Sequence, residues 1–72
     1  MILYTRHQCS ACESVKAHLK EKGFEFTEVN IMEDYQAAMR LVESGVRTVP
    51  TLEDEVSGDR FIGADAIKTR VA

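Results

Sequence analysis

The chain has 72 residues, a net charge of −3 and 44% hydrophobic residues, enough for one small α/β unit that buries only about 60% of its unfolded surface. The acidic balance argues against nucleic acid or an anionic membrane as the main partner, and no apolar run approaches the length of a membrane span. Met1 is followed at once by Ile2-Leu3-Tyr4 with no basic leader, so the expected setting is cytoplasmic, where a close pair of cysteines cycles rather than staying oxidised.

Taken in order, Ile2-Leu3-Tyr4 is short, apolar and β-favouring, and Thr5 to Gln8 is a polar loop. Ser10 to Lys22 predicts a helix, with Ala11, Val15 and Leu19 at i, i+4 and i+8, Cys12 alongside, and Gly23 at its end. Phe24 to Ile31 predicts a second strand. Phe24 and Phe26 point one way, Val29 and Ile31 the other, the pattern of a strand covered on both faces. Glu33 and Asp34 open a second helix whose inward set is Tyr35, Ala38, Met39 and Val42, with the methionines filling core, and Gly45 closes it. Pro50 restricts the next strand to Thr51-Leu52. Glu53-Asp54-Glu55 predicts a solvated turn, and Arg60-Phe61-Ile62 the other arm of a hairpin. Asp65 is the expected N-cap of a last helix, Ala66 to Val71, with Ile67 and Val71 inward.

The order is strand, helix, strand, helix, strand, strand, helix. The first β-α-β unit should be parallel and right-handed. The expected architecture is a four-stranded mixed sheet flanked by three helices, in one domain spanning residues 1–72 and acting as a monomer.

Cys9-Ser10-Ala11-Cys12 holds the only two cysteines, at a strand-to-helix junction. Residues i and i+3 of a first helical turn lie on one face, roughly 5–6 Å apart, a separation that a disulfide tolerates. Cys9, at the helix start, meets free N–H groups and the positive end of the macrodipole, which favour its thiolate. Cys12, one turn inside, is the more buried. Cys9 therefore attacks and Cys12 resolves, with Arg6 adding positive charge nearby. Two other readings compete. A structural disulfide would close a loop too short to constrain the unfolded chain much. A metal or cluster module would recruit His7 and His18 to the two cysteines.

The element order, the CxxC at the first helix and Thr48-Val49-Pro50 together resemble the thioredoxin superfamily, and the small size resembles its glutaredoxin branch. Tyr4 to Cys12 is most similar to the NrdH-type redoxins, glutaredoxin-sized proteins that behave like thioredoxins. The resemblance implies a thioredoxin fold (βαβαββα) and a dithiol–disulfide oxidoreductase that reduces protein disulfides, with ribonucleotide reductase as a client and no bound cofactor or metal. It implies a cis Pro50 facing the cysteines and a Val49 backbone that receives an extended substrate beside Thr48. Arg6 and the Gly63-Ala64-Asp65 loop match positions that hold glutathione in glutaredoxins. Three positions depart from that branch: Ser10-Ala11 replaces Pro-Tyr, and Ala64 puts a methyl in place of the second glycine of the loop. The implied reductant is an NADPH-dependent thioredoxin reductase or glutathione. Physics favours the first, because Ala64 and the acidic run Glu53 to Glu55 weaken the grip on a small anion.

Overall fold

The register of a four-stranded sheet organises the chain, which a computed structural model describes over residues 1–72. The elements are β1 (Ile2–Thr5), α1 (Ser10–Glu21), β2 (Thr27–Asn30), α2 (Tyr35–Glu43), β3 (Thr51–Glu53), β4 (Arg60–Ile62) and α3 (Ala64–Arg70). The strand order is β2-β1-β3-β4. β1 runs parallel to β2 and antiparallel to β3, and β3 and β4 form the expected hairpin. This is the expected mixed sheet with three helices.

Side chains alternate across the sheet, so β1 feeds two cores. Leu3 packs with Leu52 of β3, Val15 and Leu19 of α1, and Ile67 and Val71 at α3. Tyr4 packs on the other face with Ala37 and Leu41 of α2 and with Val46. The change of phase in the second strand has the expected result: Phe24 and Phe26 join the first core, Val29 and Ile31 the second.

Both long helices end in the same way. Gly23 adopts φ 69° and Gly45 φ 88°, a left-handed geometry that glycine enters without steric cost. This lets the Phe24 N–H reach the Leu19 carbonyl at 2.9 Å and the Val46 N–H reach the Leu41 carbonyl at 3.0 Å. Each pair also packs in its own core, the hydrophobic contact that accompanies this helix stop.

Several expectations are corrected. β2 begins at Thr27, not Phe24, because Phe24 is used in closing α1. On α1 it is Cys12, Val15 and Leu19 that are buried, while Ala11 faces solvent. On α2 the buried pair is Ala37 and Leu41. Tyr35 is 75% exposed, Val42 50%, Met39 39% and Met32 64%, so these methionines are not core filler. The bulky Tyr4 side chain is 2% exposed against this helix, and the small Ala37 is the residue that leaves it room. The N-cap of this helix is Asp34, whose carboxylate accepts the Ala37 N–H at 3.0 Å, and Glu33 lies outside it. Finally, α3 starts at Ala64 after Gly63, so Asp65 sits in its first turn rather than capping it. Glu53, expected in a turn, instead extends β3 and pairs with Arg60 at 2.9 Å.

Candidate active site

β1 delivers the chain into a short loop in which Gln8 takes φ 53°, a turn that swings Cys9 onto the start of α1. Cys9 is the N-cap, with extended backbone at φ −118° and ψ 100°. Its Sγ accepts the Cys12 N–H at 3.2 Å, and its carbonyl accepts the Glu13 N–H at 3.1 Å. The cysteine thus takes the place of the usual Ser or Asp cap. In the reduced state the same N–H and the helix dipole favour a thiolate there. Cys9 and Cys12 form a disulfide across Cα atoms 5.2 Å apart. Cys12 is 1% exposed and Cys9 9%, which matches the expected difference in burial.

The Val49–Pro50 peptide is cis. Pro50 is buried, Val49 half-buried and Thr48 exposed. The segment is pinned by the Thr51 hydroxyl donating to the Thr48 carbonyl at 2.7 Å and by the Gly63 N–H donating to the Pro50 carbonyl at 2.9 Å. No backbone hydrogen bond of the chain uses the N–H or C=O of Val49, so both are free to pair with an extended peptide.

Arg6, Thr48 and Val49 come together in one groove of about 390 Å³, floored by Ile31, Ala38, Leu41, Val42 and Val46. Arg47 stands on the same rim. Arg47 is not among the residues expected from the sequence, although a basic residue directly before Thr48-Val49-Pro50 is a usable signal. Gly63 reaches the site through its bond to Pro50. Ala64 is half-buried against the first core, and Asp65 faces a separate shallow depression beside Phe61 and Arg70. The glutathione-loop positions are therefore split between two surfaces. His18 donates from Nε2 to the Val71 carbonyl at 2.7 Å, and His7 lies between Asn30 and Glu33, so both imidazoles are engaged elsewhere than with the cysteines.

One network had no sequence signal. The buried Thr5 hydroxyl donates to Glu28 Oε2 at 2.8 Å, and Lys16 Nζ donates to the same oxygen at 3.2 Å while pairing with Glu13 at 2.9 Å. The Thr5 bond, then Lys16, holds the Glu28 carboxyl below its ordinary value of 4.5, against desolvation. The sign follows from linkage: the folded pKa lies below the unfolded one, so the stabilisation is present above the unfolded value and is lost as pH falls through the folded value. Glu28→Gln should therefore flatten the decline of thermal stability in the acid range, modestly, because the side chain is 39% exposed and solvent screens it. Thermal melts of both proteins from neutral to acid pH check this, and parallel curves would contradict it.

The glutaredoxin family model matches residues 1–59. The chain belongs to the glutaredoxin family. It is 39% identical over 54 residues to the N-acetyl-S-hydroxy-L-cysteine reductase of Bacillus subtilis, covering 74% of this chain and 58% of that relative. It is 32% identical over 57 residues to the glutaredoxin-like protein NrdH of Escherichia coli, covering 79% and 67%. The chain thus spans between about half and two thirds of the curated relatives it matches. Among solved structures, the NrdH-redoxin from Escherichia coli superposes with a TM-score of 0.82 at 25% identity, over 99% of this chain and 92% of that one. A thioredoxin-like protein gives 0.83 at 25% identity, over 99% and 97%. This glutaredoxin-family protein is an NrdH-type redoxin of the thioredoxin fold with its CxxC pair at disulfide distance.

Proposed function

We propose that this redoxin reduces protein disulfides, with Cys9 as the attacking thiolate and Cys12 as the resolving thiol. The observation that carries the reading is the capping geometry: Cys9 Sγ already accepts the Cys12 N–H at 3.2 Å at the positive end of α1. Cys9 thiolate attacks one sulfur of the client disulfide. A Cys9–client bond forms, the client S–S bond breaks, and the departing client sulfur takes a proton. Cys12, as thiolate, then attacks Cys9 Sγ, releases the second client thiol and leaves Cys9–Cys12 oxidised. Two electrons pass to the client, and no bound cofactor is required. Val49 pairs with the client backbone, Thr48 and Arg6 line its path, Pro50 flanks the sulfurs and Gly63 holds Pro50 through its carbonyl, while Ala64 and Asp65 lie away from this path.

The full reading is a cytoplasmic, monomeric single domain over residues 1–72. It draws electrons from an NADPH-dependent thioredoxin reductase and passes them to clients such as ribonucleotide reductase. The separation of Asp65 from the Arg6 groove supports the thioredoxin reductase route over the glutathione-dependent alternative. NADPH oxidation with a model disulfide tests this, run once with thioredoxin reductases from several sources and once with glutathione plus glutathione reductase. Faster turnover is expected with a thioredoxin reductase. Fast turnover through glutathione alone would make the protein a glutathione-dependent glutaredoxin instead.

The Bacillus subtilis relative favours a second reading, reduction of a small cysteine sulfenic acid. There Cys9 thiolate would displace hydroxide, leaving as water, to form the mixed disulfide, and Cys12 would release the small thiol. Assay of N-acetyl-S-hydroxy-L-cysteine against a peptide disulfide separates the two.

A further inference from the structure

Thr5, Lys16 and Glu28 belong to β1, α1 and β2, and they meet at a single carboxylate oxygen, Glu28 Oε2. The exchange steps above use none of them. Their placement relative to the cysteines is nevertheless specific. Lys16 lies four residues after Cys12, on the same face of α1. Helical side chains lean toward the N-terminus, and the 2.9 Å bond from Lys16 Nζ to Glu13 Oε1 shows the ammonium reaching back over the turn that carries Cys12. Thr5 is 1% exposed, ends β1 and opens the loop to Cys9. One ammonium stands between two carboxylates, so the network at the Cys12 end of α1 carries net negative charge. The Lys16 side chain is 19% exposed and that of Glu28 39%, against 71% for Glu13. The Lys16–Glu28 arm is therefore the less screened part of the network.

Other charges face the same region. Lys20, also on α1, acts on Glu28. Arg6 and His7 are exposed in the loop before Cys9, with His7 paired to Glu33. From α3, Lys68 donates to the Ser14 hydroxyl in the first turns of α1.

We propose that Glu28 and Lys16 are positioning residues that set the reducing strength of the Cys9–Cys12 dithiol, Glu28 strengthening it and Lys16 weakening it. The physical basis is the charge that appears on reduction. The disulfide is neutral and the reduced pair carries a thiolate, so a nearby carboxylate disfavours the reduced state and a nearby ammonium favours it. The Thr5 hydroxyl has one proton to give, and by giving it to Glu28 it fixes the carboxylate in place. This inference rests on the redoxin reading.

The test equilibrates the full chain with glutathione redox buffers at a pH where Cys9 is ionised: protein dithiol plus glutathione disulfide gives protein disulfide plus two glutathione thiols. Glu28→Gln keeps an acceptor for Thr5 and removes the charge. It should shift the equilibrium toward the dithiol by about three- to ten-fold, tenfold being about 30 mV for this two-electron couple. Lys16→Met should shift it the other way by a similar factor, and Lys16→Arg should restore the original constant. The apparent pKa of the Cys9 thiolate, followed by ultraviolet absorbance, should fall in Glu28→Gln and rise in Lys16→Met. Shifts of the same sign in both variants, or no shift in either, would overturn the proposal, because a purely structural role gives no opposed signs. If one variant unfolds, the sign in the other decides. A wild-type protein that forms no internal disulfide at any buffer ratio would reject the redoxin reading itself.

Discussion

Cys12→Ser should accumulate a stable mixed disulfide between Cys9 and its substrate, while Cys9→Ser should lose disulfide reductase activity altogether. The asymmetry follows from position. Cys9 caps α1 and receives the Cys12 N–H, whereas Cys12 is 1% exposed one turn inside. Neither substitution has a large structural consequence to confuse the result. Serine is among the favoured N-cap residues, so α1 should still start at residue 10 in Cys9→Ser. In Cys12→Ser the backbone N–H that serves Cys9 is untouched. Mass spectrometry of each variant with a model disulfide reads the adduct directly. An adduct on Cys12 in the Cys9→Ser protein, with none on Cys9 in its counterpart, would reverse the assignment.

Leu52→Ala should cost about 2–5 kcal/mol, against a total stability of roughly 4–11 kcal/mol for a domain of this size. Leu52 is fully buried, pairs with Leu3 on one side and Phe61 on the other, and packs with Val15, Leu19 and Ile67. It therefore joins two strand pairings to both helices on that face, and little can collapse into the space it leaves. β3 also carries the chain out of Val49-Pro50, so a loosened β3 should weaken substrate docking along with stability. Val56→Ala is the matched control: Val56 is 98% exposed and should stay within about 0.5 kcal/mol of wild type. Urea unfolding of both variants gives the comparison, and a Leu52→Ala midpoint as high as that of Val56→Ala would contradict the packing account.

The sequence carried the element order, the boundaries of β4 and the place of the cysteine pair, because each had a local cause. Gly23 and Gly45 mark where the first two helices stop, Pro50 marks where a strand can begin, and a CxxC at a helix start has one geometry. The inward face of α2 was not legible. Tyr35, Ala38, Met39 and Val42 make as regular a helical stripe as the true buried pair Ala37 and Leu41. The choice between them is made by Tyr4, a residue on another element whose bulk demands a small neighbour. The Thr5–Lys16–Glu28 network was invisible for a related reason. Its members are scattered along the chain and meet only through the parallel register that sets Leu3 opposite Glu28. Arg47 and Asp65 show the same limit for the site: whether a charged residue lines the groove or leaves it depends on loop and helix starts, which spacing alone does not fix.

Cys9 and Cys12 are expected to cycle between dithiol and disulfide within one chain. Alkylation followed by mass spectrometry of the intact protein measures that directly. Both thiols should be alkylated after reduction, neither after mild oxidation and both again after re-reduction, with oxidation matched by thiols released from a model disulfide. Thiols that stay alkylatable after oxidation, or that are blocked in both states by a metal retained through purification, would contradict it.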